Sequence, residues 1–183
     1  MNQQRNKVRI IGGEYRRRLL PFPDSSGLRP TPDRVRETVF NWLGQSLHGK
    51  RCLDLFAGSG AMGFEAASRG AGRVVMVEKG RAVAEALQAN RQLLAATQVD
   101  VLCTDALHFL RAARETFDVV FVDPPYDSDL LSEVLPLLAP VLAADAVVYL
   151  ESRTWPALPG WEVSRRGKAG VVCYGLIARE IAG

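Results

Sequence analysis

The residues best suited to chemistry follow a short apolar run at positions 119–122: Asp123, Pro124, Pro125 and Tyr126. Two prolines remove two backbone donors and hold the preceding residue extended, so this segment is a stiff loop that offers mainly acceptors. The Asp123 carboxylate and the Pro124 carbonyl could hold both hydrogens of a base amino group and turn its lone pair toward a sulfonium methyl group. Tyr126 could stack on the base once it is unpaired or flipped out. The segment therefore predicts methylation of an amino nitrogen on a nucleic-acid base.

A second motif, Asp-Leu-Phe-Ala-Gly-Ser-Gly-Ala-Met-Gly at positions 54–63, follows an apolar run and opens a helical pattern. Its glycines at 58, 60 and 63 form a Gly-x-Gly-x-x-Gly pattern, which lets a backbone turn approach a nucleotide closely. Glu78 ends the next apolar run, eighteen residues after Gly60. An acid at that place can accept hydrogen bonds from both ribose hydroxyls.

Asp54 helps to decide whether this turn binds a dinucleotide or S-adenosylmethionine. Four residues before Gly58, its carboxylate would repel a pyrophosphate but would suit the α-ammonium group of an amino-acid tail. Asp105, just after the third run, could accept from an adenine amino group or could simply cap a helix, and the sequence leaves both readings open. With the neighbouring positions, the predicted cofactor site comprises Asp54, Phe56, Ala57, Gly58, Gly60, Glu78, Lys79, Asp105 and Ala106.

Four strand–helix units carry these motifs. Apolar runs at 52–56, 74–78, 99–103 and 119–122 are each followed by a helical pattern, the last helix spanning 130–142. Such alternation predicts a parallel sheet covered by helices on both faces. Since the carboxyl ends of parallel strands share one edge, the acids at 54, 78, 105 and 123 should converge on one crevice. Runs at 146–151, 161–164 and 171–178 should finish the sheet with an antiparallel hairpin.

Positive charge is concentrated at the N-terminus. Residues 1–36 hold nine Lys/Arg and three Asp/Glu, although the whole 183-residue chain has a net charge of only +3. Residues 8–13 and 14–20 predict two strands joined through a Gly-Gly turn that bind a polyanion, with a flexible solvated tail as the alternative. A helix over 33–47 follows, with Val35, Val39, Phe40 and Leu43 on one face. We predict an extension at 1–32 and one main domain at 33–183.

Composition argues against several other classes of protein. The three cysteines, Cys52, Cys103 and Cys173, are isolated in apolar runs, which predicts reduced core thiols and neither disulfides nor a metal site. Only two histidines are present, which disfavours a histidine-based metal site. The sequence shows neither a secretory signal nor a run of about 20 apolar residues, so we expect a cytoplasmic protein that does not bind membranes.

Four motifs resemble a known family. Asp-Pro-Pro-Tyr at 123–126 together with Asp-x-Phe-x-Gly-x-Gly at 54–60 resembles the amino-methyltransferase branch of the class I methyltransferases. Two further segments narrow the resemblance to the bacterial 16S ribosomal RNA guanine-N2 methyltransferases, over residues 7–180. These segments are Val-Arg-Ile-Ile-Gly-Gly at 8–13 and Leu-Arg-Pro-Thr-Pro-Asp-Arg-Val-Arg-Glu-Thr-Val-Phe-Asn-Trp-Leu at 28–43. Pro32 departs from the family, which more often has Thr or Ser there.

The resemblance implies a Rossmann-like fold with a seven-stranded, mostly parallel sheet and an antiparallel last strand. It also implies S-adenosylmethionine as sole cofactor and, as substrate, a guanine of 16S rRNA within the small ribosomal subunit or its assembly intermediate. Asp54, Gly58 and Gly60 match the cofactor motif, and residues 123–126 match the motif that holds the base. We expect a monomer without metal. Charge alone assigns the RNA contacts: Arg9, Arg16, Arg17, Arg18, Arg29, Arg34 and Arg36.

Three other functions compete. A DNA adenine-N6 or cytosine-N4 methyltransferase shares the Asp-Pro-Pro-Tyr chemistry, but such enzymes usually need a recognition region for which this chain has little room. Another RNA is a related alternative. A nicotinamide-dependent oxidoreductase would place Asp54 against phosphate and leave residues 123–126 unexplained. A noncatalytic RNA-binding protein that kept the fold is the third alternative, and only an activity assay would exclude it.

Overall fold

The structure, a computed structural model, describes residues 6–25, 28–125 and 128–182. Two strands near the N-terminus form a separate hairpin, and the other seven strands form the main sheet. The strands are β1 (Asn6–Arg9), β2 (Leu19–Phe22), β3 (Arg51–Asp54), β4 (Arg73–Glu78), β5 (Val99–Cys103), β6 (Phe117–Val122), β7 (Leu142–Ser152), β8 (Trp161–Ala169) and β9 (Val172–Arg179).

Five α-helices connect and cover the strands, and a short 3-10 turn at Ala139–Val141 follows the last one. The helices are α1 (Asp33–Trp42), α2 (Ala61–Ser68), α3 (Arg81–Leu93), α4 (Ala106–Ala112) and α5 (Leu130–Leu138). Helix α1 ends five residues earlier than predicted because Gly44 and Gln45 take positive φ angles of 94° and 65°. Helix α5 ends before Pro140, which lacks the backbone donor that another helical turn would need.

The main sheet has the strand order β5-β4-β3-β6-β7-β9-β8. Strands β3 to β7 are parallel, and β9 runs antiparallel between β7 and β8. The predicted mostly parallel sheet and its closing antiparallel hairpin are therefore confirmed. The chain moves outward from β3 to β5 and returns to β6 on the other side of β3. The strand order reverses between β3 and β6, and in such sheets ligands usually bind in a crevice at the carboxyl ends of the strands on either side of the reversal.

Apolar side chains of the central strands alternate between two cores, one on each face. Cys52, Met76 and Phe121 pack with α1, α2, α3 and the N-terminal hairpin. Leu53 and Val120 pack with α4 and α5 on the opposite face. Burial on both faces explains why these strands are nearly continuous apolar runs.

The N-terminal hairpin is confirmed, but its connection differs from the predicted Gly-Gly turn. Arg9 pairs with Leu19, so residues 10–18 form a nine-residue loop. Two backbone hydrogen bonds close this loop, Ile10 N–H to Arg18 O (3.0 Å) and Arg17 N–H to Ile10 O (2.9 Å). Buried hairpin side chains, including Val8 and Leu20, belong to the same core as α1 and α2. The extension is thus packed onto the sheet domain rather than hanging free of it.

The prediction of core thiols is right for Cys52 and wrong for Cys103. Cys52 lies on the central strand β3 and is fully buried, and burial raises the pKa of its thiol to about 12. Cys103 ends the edge strand β5 and is exposed, and Cys173 is half-buried. All three thiols are free.

Candidate active site

Four acidic residues line the carboxyl edge of the sheet. Asp105, Glu78, Asp54 and Asp123 lie at the ends of β5, β4, β3 and β6, which are neighbours in that order. All four acids therefore lie on one edge of the sheet, as the strand pattern predicted. Asp54 and Asp123 follow β3 and β6, one on each side of the point where the strand order reverses.

The glycine-rich turn is held to β4 by Glu78. The two oxygens of the Glu78 carboxylate accept from the backbone N–H groups of Gly58 (3.0 Å) and Gly80 (2.9 Å). Each oxygen retains a lone pair, so Glu78 can still accept hydrogen bonds from a ligand. Gly60 has a φ of +83°, and an added Cβ there would lie 2.5 Å from the Phe64 ring. Only glycine fits that position without displacing the turn.

Asp54 is a buried carboxylate, with 3% of its surface exposed. Its Oδ2 accepts from the Gly63 N–H (3.0 Å) in the first turn of α2, which contributes the partial positive charge of a helix N-terminus. Burial nevertheless raises the pKa of Asp54 to about 7; the bond from Gly63 opposes this rise, and the charge of Glu78 adds to it. A cation brought beside Asp54 would relieve this desolvation.

The remaining predicted cofactor positions differ in exposure and in their contacts. Asp105 caps α4, because its Oδ1 accepts from the N–H groups of Leu107 (2.9 Å) and His108 (3.2 Å). The capping interpretation is therefore confirmed, and the exposed carboxylate keeps its second oxygen for an adenine contact, which stays a prediction. Phe56 and Gly58 are half-buried, Ala57 and Ala106 are buried, and Lys79 is exposed.

On the other side of the crevice, Asp123 is half-buried and Pro124 is buried, whereas Pro125 is exposed. Burial, the charges of Glu151 and Asp54 and a side-chain hydrogen bond with Glu151 raise the pKa of Asp123 well above its ordinary value. Tyr126, the predicted stacking residue, lies outside the described residues.

Sequence reasoning missed Glu151 and the two hydroxyls beside it. Glu151 is 3% exposed and is the penultimate residue of β7; its Oε2 accepts from Tyr149 Oη (2.8 Å) and Thr31 Oγ1 (3.2 Å). The signal was available, because Glu151 is an acid at a strand end like the four that were recognised. Pro32, where the family more often has a hydroxyl residue, is followed by α1 without a side-chain cap. The neighbouring Thr31 instead directs its hydroxyl to Glu151.

Arg36 was predicted to contact RNA, and this prediction is wrong. Its side chain is 1% exposed and donates to Arg9 O (2.8 Å), Thr31 O (3.2 Å) and Asp33 Oδ1 (2.5 Å). It also lies 3.7 Å from the buried Glu65 carboxylate. Arg36 thus ties the hairpin to α1 and α2 and cannot reach a phosphate.

The other predicted RNA-binding arginines are exposed, but three of them lie far from the crevice. We call Arg16, Arg17 and Arg18 the tip cluster. Arg18 Nη2 donates to the carbonyl of Leu93 (3.3 Å), the last residue of α3, whereas α3 begins beside Glu78 at the crevice. The 13 residues of α3 span about 20 Å, which therefore separates the tip cluster from the acids. Arg29 and Arg34 flank Thr31, and Arg9 lies on β1.

A second group of exposed cations, which sequence reasoning did not assign, lies closer to Asp123. Arg165, Arg166 and Lys168 on β8 form what we call the rim cluster. Lys168 is opposite Cys173, and Cys173 is opposite Ser152, which directly follows Glu151. The Arg166 guanidinium lies 4.6 Å from the Trp155 ring centroid. Over the described part of the chain, none of these three side chains forms an ion pair.

Neither a metal-binding cluster nor a membrane-spanning helix occurs among the described residues. No group of three or more His, Cys, Asp and Glu side chains there could hold a metal ion. None of the helices in this part of the chain is both long enough and apolar enough to cross a membrane.

Comparisons with known proteins agree with this architecture. The family model described as "Conserved hypothetical protein 95" matches residues 8–178. Ribosomal RNA small subunit methyltransferase D from Escherichia coli K12 is 45% identical over 97% of this chain and 92% of its own length. The protein of the same name from Haemophilus influenzae is 41% identical, over 94% of each chain. A solved structure from Escherichia coli superimposes with a TM-score of 0.88 at 43% identity, covering 96% of this chain and 99% of the other.

Proposed function

Because the chain belongs to the ribosomal RNA small subunit methyltransferase D family, we propose that it transfers a methyl group from S-adenosylmethionine to the exocyclic N2 amino group of a guanine in 16S rRNA. The substrate would be the small ribosomal subunit or its assembly intermediate in the cytoplasm. The single observation that carries the proposal is that Asp54 and Asp123 lie at the carboxyl ends of β3 and β6, two neighbouring parallel strands. One acid faces a turn built for a nucleotide, and the other begins a loop of acceptors.

The residues of the turn fit S-adenosylmethionine, which supplies the reactive methyl sulfonium. Asp54 would hold the α-ammonium group, since a cation offsets the cost of its buried charge. Glu78 would accept from the ribose hydroxyls with its remaining lone pairs, and Asp105 Oδ2 from the adenine amino group. The same carboxylates oppose a pyrophosphate, which argues against a nicotinamide dinucleotide.

The residues after β6 would hold the base. Asp123 and the Pro124 carbonyl would each accept one amino hydrogen, and the buried Pro124 and rigid Pro125 keep these acceptors in place. With both hydrogens held, the nitrogen lone pair no longer conjugates with the ring and can face the methyl group. We keep Tyr126 as the proposed stacking partner of the base.

Two separate surfaces would contact the RNA backbone. The rim cluster lies on the same sheet edge as Asp123 and would bind phosphates next to the target nucleotide. The tip cluster, about 20 Å away, would require an RNA that extends along the side of the protein. Arg9, Arg29 and Arg34 would complete this footprint. A folded ribosomal RNA satisfies this geometry better than a short single strand.

Cofactor titration and methyl transfer test the proposal together. We expect S-adenosylmethionine to bind and NADH not to bind, and labelled methyl to appear on unmodified small subunits and not on duplex DNA. Protein-free 16S rRNA in parallel shows whether ribosomal proteins help to form the site. Binding of NADH together with no binding of S-adenosylmethionine would refute the proposal. Label on DNA alone would show that the substrate is DNA and not RNA.

A further inference from the structure

An open pocket of about 570 Å³ lies between the nine-residue hairpin loop and helix α1. We call it the loop pocket, and its walls include Gly12 and Gly13 of the loop, Glu37 and Asn41 of α1, and Arg69, which directly follows α2. The glycine-rich turn directly precedes α2, so the eight residues of this helix place the loop pocket about 12 Å from that turn along the helix axis. The volume is sufficient for a small ligand such as one nucleotide. The loop pocket and the crevice are thus separate.

The floor of the loop pocket is held by two buried residues of α2. Glu65, which is 0% exposed, accepts from the backbone N–H groups of Ile11 (2.9 Å) and Gly12 (3.0 Å). Ser68 Oγ donates to the Gly12 carbonyl (2.5 Å). Gly13 has a φ of +80°, and an added Cβ there would collide with the Ser68 carbonyl oxygen. These contacts fix the loop backbone before a ligand arrives, which lowers the ordering cost of binding.

Arg69 presents a fixed guanidinium to the loop pocket. Only 10% of its side chain is exposed, and the guanidinium carbon lies 5.0 Å from the centroid of the Phe40 ring. Its Nε and Nη2 each lie 3.0 Å from Glu65 Oε1, and its Nη1 donates to the Gln45 carbonyl (3.4 Å). A guanidinium has five N–H donors, so two remain for a ligand. A guanidinium held in this way suits a phosphate, because little side-chain freedom is lost on binding.

Two exposed arginines of the hairpin loop add positive charge to the loop pocket. Arg16 and Arg17 both line it, and among the described residues neither pairs with a carboxylate. With Arg69 they outnumber the two carboxylates of the lining, Glu14 and Glu37. Arg17 has a φ of +72°, and residues other than glycine that adopt such angles cluster at ligand-binding sites. The lining therefore favours an anion such as an RNA phosphate.

Glu37 and Asn41 supply groups that a bare phosphate would not need. They are four residues apart on the exposed face of α1, so their side chains are neighbours. In the part of the chain that the structure describes, neither side chain forms a hydrogen bond within the protein. The carboxylate accepts, and the amide both accepts and donates, which is the combination that the edge of a base requires. Since a carboxylate would repel a phosphate, the lining fits a whole nucleotide better than a phosphate alone.

We propose that the loop pocket binds one unpaired nucleotide of the RNA substrate. Its phosphate contacts Arg16, Arg17 and Arg69. The edge of its base contacts Glu37 and Asn41. This inference rests on the proposed function and deepens it, because it gives the enzyme a second nucleotide to recognise besides the target base. Sequence-specific recognition of RNA mostly uses unpaired bases, whose edges are free to contact side chains.

Removal of the Glu37 carboxylate is a test in which the direction of the change is diagnostic. Loss of a negative charge should by itself strengthen the binding of a polyanion, whereas loss of a hydrogen bond to a base should weaken it. We expect Glu37→Ala to raise the dissociation constant for unmodified small subunits about tenfold. The single-turnover rate at saturating subunits should be unchanged, because the crevice is not altered.

Glu133→Ala is the matched control for this loss of charge. Glu133 is exposed on α5, and α5 packs on the opposite face of the sheet from the loop pocket. The control should bind small subunits as tightly as wild type or more tightly. If Glu37→Ala bound them as tightly as Glu133→Ala does, the inference would be overturned.

Titration with mononucleotides tests the loop pocket without requiring methyl transfer. With S-adenosylmethionine present to fill the cofactor site, the backbone amide NMR signals of Gly12 and Gly13 would be followed. The probes are the four ribonucleoside 5′-monophosphates, ribose 5-phosphate and an oligoglutamate peptide. At least one nucleotide should shift these signals at a concentration about tenfold below that required by ribose 5-phosphate, and Glu37→Ala should abolish the difference.

The outcomes separate this inference from the proposed function. Equal responses to ribose 5-phosphate and to all four nucleotides, or a response to the peptide alone, would overturn the inference whatever the enzyme methylates. A selective response to a nucleotide in a protein that methylates no RNA would support the loop pocket and refute the proposed function instead.

Discussion

Lowering the pH should weaken cofactor binding through one buried residue, Asp54. Burial raises the pKa of this carboxyl to about 7, so it is largely neutral in the ligand-free protein at pH 6. The proposed contact with an α-ammonium group needs the ionised form. Binding must then expel the proton, and the free energy of doing so is subtracted from the affinity.

The size of the effect follows from the ionised fraction. With a pKa of about 7, that fraction is about 0.76 at pH 7.5 and about 0.09 at pH 6.0, so the dissociation constant should rise about eightfold. About 0.9 proton should be released per cofactor bound at pH 6.0. Because the pKa of an α-amino group is about 7.7 to 8.0, about a third of the free cofactor is itself deprotonated at pH 7.5, which reduces the expected rise to about sixfold.

Isothermal titration calorimetry in two buffers of different ionisation enthalpy measures both the affinity and the proton release. Asp54→Asn is the matched control, since it keeps the volume and an acceptor for the Gly63 N–H but cannot ionise. Its affinity should be weak and independent of pH over this range. A wild-type dissociation constant that is the same at pH 6.0 and 7.5, without proton release, would refute the assignment of Asp54 to the ammonium group.

Three further predictions concern stability, the turn and the RNA surface. The raised pKa means that the folded state binds the Asp54 proton more tightly than the unfolded chain does. As the pH rises from 4 to 7, the free energy of unfolding of the wild type should therefore fall relative to that of Asp54→Asn, by up to about 4 kcal/mol. Parallel pH dependences of the two proteins in chemical denaturation would contradict this. Glu78→Ala removes both acceptors that fix the turn and should raise the cofactor dissociation constant about tenfold or more, and unchanged affinity by calorimetry would dismiss the contact. Replacing either the tip cluster or the rim cluster with alanines should reduce the slope of log K for RNA binding against log salt concentration by about 2 to 3. An unchanged slope would show that this cluster does not contact the RNA.

The positions of the four acids at the carboxyl edge of the sheet could be predicted from the sequence, because a general rule relates the strand pattern to position in the fold. Acids that directly follow apolar strands in a parallel sheet must share an edge, and the strand–helix alternation established that the sheet is parallel. Asp54 and Asp123 could therefore be placed together although 69 positions separate them in the chain. Their protonation states could not be predicted, because these depend on burial and on neighbours from other strands.

The basic residues were harder to predict because charge alone does not determine exposure. Arg36 lies beside the buried Val35, and three residues from Val39, on the helix face that meets the core. Its burial becomes favourable only where the hairpin backbone, Asp33 and Glu65 supply partners, and those contacts are tertiary. The rim cluster was missed for the opposite reason. Its residues belong to an ordinary edge strand, and only the register of β8, β9 and β7 places them near the level of Glu151, two strands away in the sheet.

The identity of the methylated nucleoside tests the central claim most directly. Unmodified small subunits would be incubated with wild type or Asp123→Ala and labelled S-adenosylmethionine, and the digested RNA analysed by mass spectrometry. We expect N2-methylguanosine with wild type and none with Asp123→Ala, whose cofactor affinity should stay within a few-fold of wild type. A methyl group on a ring nitrogen or a ribose oxygen, or near-normal N2-methylguanosine from Asp123→Ala, would contradict an active site built to hold an amino group.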